Sequence, residues 1–95
     1  RDKLEAAVKS GLPVFVSECA GMEASGNGPL APKEYQKWLD VMEKYKVSWV
    51  NWSVSDKDET CSMLLPRAQA TGNWTPDLIK PWGKMVKEVL TRYNQ

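Results

Sequence analysis

Histidine is absent from this chain of 95 residues. That absence removes Ser-His and Cys-His nucleophilic pairs and most transition-metal sites, so any acid-base chemistry must fall to carboxylates. Cysteine occurs only as Cys19 and Cys61, too few for a disulfide scaffold and without metal-ligand spacing. An excess of charge of one sign is missing as well: 13 basic and 12 acidic side chains leave +1 with no basic stripe, so nucleic acid is not an expected partner. Apolar runs stay far short of the roughly 18 residues a membrane span needs, and no charged start is followed by an apolar region as in a signal peptide. With 42% hydrophobic residues the chain is one small domain at most, with a modest core. No metal and no cofactor is expected.

What is present is organised around two apolar runs. Leu12-Pro-Val-Phe-Val-Ser-Glu18 is a short β-branched run that stops on a carboxylate. Val47-Ser-Trp-Val-Asn-Trp-Ser-Val54 is a second, followed by Ser55-Asp-Lys-Asp-Glu59. Strands apolar on nearly every residue belong to parallel sheets buried on both faces, and in such sheets reactive groups sit just past the carboxyl ends of strands. Glu18 holds that position, and the two runs deliver polar groups and a tryptophan to one rim.

Helices alternate with these strands. Leu4, Ala7 and Val8 share one helical face before Gly11 stops the helix. The stretch from Gly21 to Pro32 is small and turn-rich, hence a long loop. Pro32 opens a second helix through Tyr35, Trp38, Leu39, Met42 and Tyr45, ended at Lys46. After a long loop from Ser55 to Trp74, Thr75-Pro-Asp77 reads as the start of a third helix leading through Trp82, Met85, Val86, Val89 and Leu90. The order α-β-α-β-α implies right-handed βαβ units and a parallel α/β sheet. Two strands cannot complete such a sheet, so the chain reads as the last part of a larger α/β barrel.

Two tempting motifs fail. Gly21, Gly26 and Gly28 lack the Lys-Ser/Thr pair of a phosphate cradle, and Asp56, Asp58 and Glu59 lack the spacing and turn glycine of a calcium loop. The triplets at Asn51 and Asn73 fit the glycosylation pattern but carry no information, the first lying within a strand.

Four blocks in order, Val14-Phe-Val-Ser-Glu18, Ala24-Ser-Gly-Asn-Gly28, Ser48 to Glu59 and Ala70-Thr-Gly72, resemble the carboxyl-terminal part of the glycoside hydrolase family 5 cellulases. The likeness covers nearly the whole chain. It implies a (β/α)8 TIM barrel of which residues 1–95 are the carboxyl-terminal portion, from the end of helix 6 to helix 8, with the remainder of the barrel outside this chain. It implies a secreted enzyme that hydrolyses 1,4-β-glucosidic bonds of cellulose or related β-glucan with retention, the amino-terminal remainder being the needed partner. On the family's motif Glu18 is the nucleophile, and Trp52, Lys57 and Glu59 are substrate-binding residues. The family's acid/base glutamate lies in an Asn-Glu-Pro motif, which does not occur here, so half of the catalytic pair is missing. The residues after the nucleophile, Cys19 and Ala20, also depart from the frequent aromatic-glycine pair.

Each residue has a plainer reading. Glu18 is, by type alone, a solvated loop carboxylate, and Lys57 and Glu59 are loop charges. Trp49 and Trp52 lie on opposite sides of one strand: Trp49 is expected to be structural, while Trp52, at the rim, offers a flat face to a pyranose ring. Trp74 and Trp82, and the Trp38 and Tyr45 stripe, are expected to pack. A disulfide between Cys19 and Cys61 is left open. The rival functions are a non-catalytic carbohydrate-binding or interaction module, and a mannanase or xyloglucanase of the same fold.

Overall fold

The computed structural model describes residues 1–94. Its elements are α1 (Asp2–Lys9), β1 (Phe15–Cys19), α2 (Pro32–Lys44), β2 (Ser48–Asn51), a 3-10 turn (Pro76–Leu78) and α3 (Pro81–Tyr93). The expected order of helices and strands is reproduced, with β1 and β2 paired in parallel.

The elements begin and end for local reasons. Gly11 takes φ 91° after α1, a conformation open to a residue without Cβ. Pro32 sits in the first turn of α2, where its missing N–H costs nothing. At the other end Lys46, with φ 56°, turns the chain so that the N–H of Val47 reaches the carbonyl of Met42 at 2.9 Å and β2 can start.

One face of the sheet is covered. Tyr35, Leu39 and Met42 from α2 and Trp82, Val86 and Val89 from α3 form the core with Val47 and Met63, and Val14, Val16 and Trp49 pack against it. Trp49 is thus structural, its ring edge-on to Tyr93 at 6.1 Å between centroids. Trp38 and Tyr45 are partly buried against the same cluster. The other face carries Phe15 and Val50, 60% and 48% exposed. These are alternate residues of strands whose neighbours Val16 and Trp49 point inward, as a period of two requires.

Three expectations are corrected. The second strand ends at Asn51 rather than Val54, because beyond Trp52 the backbone changes partners: Ser53 donates to Cys61 O at 3.1 Å, and Met63 and Leu64 return bonds to Ser53 O and Ser55 O. The third helix does not start at Thr75. Ile79 and Lys80 are extended, the conformation Pro81 favours in the residue before it, and Ile79 pairs with Leu64 instead. Trp74 is not a packing residue: it is 39% exposed and its indole N–H donates to Gln69 O at 2.7 Å, closing its own loop. No helix among the described residues is long and apolar enough to cross a membrane.

Candidate active site

The two strands do not run in perfect register. Phe15 pairs with Ser48 and Val16 with Trp49, but Cys19 pairs with Asn51, so three steps in β1 match two in β2. This is a bulge with one extra residue in β1. Strict alternation from Val16 would send Glu18 inward, since a shift of one residue reverses the face of every side chain beyond it. With the extra residue, Ser17 and Glu18 are both exposed and Cys19 turns toward the core. The irregularity therefore delivers the Glu18 carboxylate to open space.

Inward of the bulge lies a small polar cluster. Tyr35 Oη donates to Asn51 Oδ1 at 2.6 Å, and Cys19 Sγ donates to the same oxygen at 3.5 Å. Burial pushes the Cys19 thiol up to about 11. The Tyr35 phenol is also raised, first by burial and then by the neighbouring Cys19. Both groups stay protonated at neutral pH and act as donors.

Trp52 follows directly. Its N–H donates to Cys19 O at 2.8 Å, which ties the end of β2 to the residue after Glu18. The residue is 48% exposed. Beyond it, residues 53–64 double back, and the returning backbone bonds are joined by a 2.8 Å contact between the hydroxyls of Ser55 and Ser62. Lys57 and Glu59 lie at the tip of this return. Lys57 Nζ stands 3.5 Å from Glu59 Oε2, with Lys57 open to solvent and Glu59 largely covered. Cys61 Sγ donates to Glu59 Oε1 at 3.3 Å, and Lys80 Nζ donates to Glu59 O. Burial, then the bond to Glu59, raises the Cys61 thiol.

The loop after β1 closes on the same region. Cys61 N–H donates to Gly26 O at 2.9 Å, and the Thr60 hydroxyl contacts Asn27 Oδ1 and Gly28 O. Glu18, Trp52, Lys57 and Glu59 all line one cleft of about 640 Å³, together with Glu23, Ser25, Tyr35 and both cysteines. The four residues expected from the sequence are thus brought together. Cys19 and Cys61 are free thiols, so the disulfide left open above is not formed. No group of three or more His, Cys, Asp or Glu capable of holding a metal ion occurs among the described residues.

Sequence reasoning missed Tyr35, Glu23 and Ser25 as parts of the cleft, and Asn51 as the acceptor that holds the Tyr35 hydroxyl. Asn51 carried a signal: an amide inside an apolar strand must find a partner when covered, and Tyr35 is that partner.

Fold and cleft together define a partial parallel α/β unit with a carboxylate and an exposed indole at the carboxyl ends of adjacent strands. Residues 1–58 match the family Cellulase (glycosyl hydrolase family 5). Endoglucanase N of Pectobacterium atrosepticum is 44% identical over 89 residues, covering 93% of this chain and 20% of its own length. A solved structure from Cytophaga hutchinsonii superposes with a TM-score of 0.94 at 36% identity, over 99% of this chain and 31% of that one. A thermostable, halotolerant cellulase of the same family from an Icelandic hot spring isolate gives a TM-score of 0.87 at 33% identity, over 95% and 29%. The chain belongs to the glycosyl hydrolase family 5 cellulases. It spans about a fifth of the length of the curated relatives it matches, as the 20% coverage of that endoglucanase illustrates.

Proposed function

We propose that the chain is the carboxyl-terminal part of a (β/α)8 barrel and supplies the nucleophile half of a retaining endo-1,4-β-glucanase. In this reading α1 is the end of helix 6, β1 and β2 are strands 7 and 8, and α2 and α3 are helices 7 and 8. The whole enzyme is secreted and cleaves cellulose or a related β-glucan without a cofactor. The observation that carries the reading is the convergence of Glu18, Trp52, Lys57 and Glu59 on one cleft.

The chemistry follows from the positions. The Glu18 carboxylate attacks the anomeric carbon, and the bond to the leaving glucoside oxygen breaks as a glycosyl ester forms. Water then displaces Glu18 and regenerates the carboxylate. A second carboxyl, about 5–5.5 Å away in retaining enzymes, protonates the leaving oxygen and later deprotonates the water. It comes from the amino-terminal remainder of the barrel. Trp52 gives a sugar ring a flat apolar face, while Lys57 and Glu59 offer a donor and an acceptor to its hydroxyls. The Lys57–Glu59 pair is exposed on the lysine side and contributes little to stability, which leaves it available to a ligand.

The test is Glu18→Gln in the complete enzyme. The amide is nearly isosteric and does not attack carbon, so turnover on cello-oligosaccharides is lost while the fold persists. A 2-fluoro sugar that traps the glycosyl-enzyme should label the wild-type peptide containing Glu18. Label on another peptide overturns the assignment.

A further inference from the structure

Trp82 is the largest fully buried side chain, 1% exposed, and it lies in the first turn of α3, away from β2 in sequence. Its one polar atom is committed to the site: the indole N–H donates to the carbonyl of Trp52 at 2.8 Å. A buried indole N–H requires an acceptor, but the acceptor here is the backbone of the exposed tryptophan at the cleft. The ring of Trp82 is itself held on two further sides. Tyr35 meets it edge-on with centroids 4.9 Å apart, and a Cβ at Gly21 would lie 2.9 Å from Cζ3 of Trp82. Trp82 therefore touches the loop after β1, helix α2 and the end of β2 at once.

Trp52 is far more open, 48% exposed as a residue. Its backbone is fixed on one side by the N–H bond to Cys19 O and on the other by the carbonyl bond from Trp82. Beyond Trp52 the chain leaves the sheet, so without the second bond the peptide that follows Trp52 loses its tie to the helix layer.

We propose that Trp82 is a positioning residue for substrate binding, acting through its hydrogen bond to the Trp52 carbonyl to set the angle at which the Trp52 ring meets a sugar. This rests on the sugar-platform reading of Trp52. Trp82 itself touches no substrate and acts only through Trp52. Its loss should therefore raise KM for cello-oligosaccharides more than it lowers kcat, and it should do so only while the Trp52 ring is there to be misplaced.

The experiment is a double-mutant cycle in the complete enzyme, assayed well below the melting temperature of every variant. Trp82→Phe removes the donor. Replacement of Trp82 by 3-benzothienylalanine keeps the shape, carries sulfur in place of N–H, and serves where the phenylalanine variant fails to fold. Either change should lower kcat/KM by about three- to tenfold, the worth of one hydrogen bond, mainly through KM. In a Trp52→Ala background the same change should have an effect near onefold, because contacting residues are not additive. An equal loss in both backgrounds, or no loss on replacement by benzothienylalanine, overturns the positioning role while the platform stands. If Trp52→Ala alone leaves kcat/KM unchanged, the platform reading fails first and the positioning role falls with it.

Discussion

The amide N–H of Trp52 and the carbonyl of Cys19 are joined by a 2.8 Å hydrogen bond, so the backbone that carries the exposed indole is tied to the residue after Glu18. Side-chain changes at position 52 leave that bond in place. Trp52→Ala in the complete enzyme should then remove a stacking face without moving Glu18. Losses of roughly 2–4 kcal/mol are usual for a well-seated aromatic anchor, equivalent to about 30- to 1,000-fold in kcat/KM. Kinetics on cello-oligosaccharides, with circular dichroism to confirm the fold, measure it. Wild-type kcat/KM from a folded variant rejects the platform.

Gly83 faces two opposed effects. Alanine is the better helix former by about 1 kcal/mol, yet a Cβ at Gly83 would lie 2.5 Å from Met63 O and 2.8 Å from Ile79 Cγ2. The nearer atom is backbone and is tied to α3 by the Lys80 N–H, which donates to it at 2.8 Å, so it cannot swing aside as a flexible side-chain end would. Overpacking of this kind costs roughly 1–3 kcal/mol or more and should outweigh the propensity gain. Gly83→Ala is expected to lower the unfolding midpoint in urea, and an unchanged or raised midpoint would show that α3 can shift away from the Met63 backbone.

How much of this could be read beforehand depends on the residue. Glu18 at the end of an apolar run and Trp52 at the end of the next were legible because strand ends and residue types are local properties. Their joint placement on one rim was legible from two parallel strands ending together, while the roles of the individual residues needed the four spaced blocks that resemble one family. The bulge that turns Glu18 outward was not legible: Val16, Ser17, Glu18 and Cys19 include no glycine, proline, asparagine or aspartate, and the extra residue is set by pairing with β2. The start of α3 was misread for a similar reason. Thr75-Pro76-Asp77 has the residues of a helix start, and the turn there is broken by tertiary pairing of Ile79 with Leu64 and by Pro81. Trp74 shows that an aromatic residue is not a packing residue by type; its indole satisfies a loop carbonyl instead.

Cys19 makes stability depend on alkaline pH. Its thiol titrates near 9.0 when exposed and at about 11 in the fold, because burial disfavours the thiolate. The folded form holds the proton more tightly, so this contribution is complete below about pH 9 and is lost as pH rises toward 11. Tyr35, also raised by burial, acts in the same direction at higher pH. Melting temperature should fall between pH 9 and 11, and less steeply in Cys19→Ala. Native alkylation at pH 8 should be slow at both cysteines, since the thiolate is the reactive form and Cys61 is only 1% exposed. Denaturation without reductant should release two titratable thiols. Parallel melting curves for wild type and Cys19→Ala would remove Cys19 as the source.

The chain produced by itself should hydrolyse no β-glucan. The proposed retaining mechanism needs an acid to protonate the leaving oxygen as the nucleophile attacks, and general acid-base catalysis contributes about 10²–10⁴-fold. The Asn-Glu-Pro motif expected to carry that acid does not occur in the sequence. On the partial-barrel reading the isolated chain should lack structural support as well as the acid. Its sheet has two strands, fewer than independent stability normally takes. Phe15, Val50 and Val54 are exposed on or beyond that sheet, at 60%, 48% and 64%, and exposed apolar surface with unpaired strand edges favours association. Size-exclusion chromatography should therefore find the piece self-associated at micromolar concentration, and carboxymethylcellulose assays should find it inactive. Adding the amino-terminal remainder of the proposed barrel should bring both a discrete 1:1 species and activity. A dispersed monomer that cleaves β-glucan alone would refute the two-carboxylate mechanism and the partial-barrel reading at once.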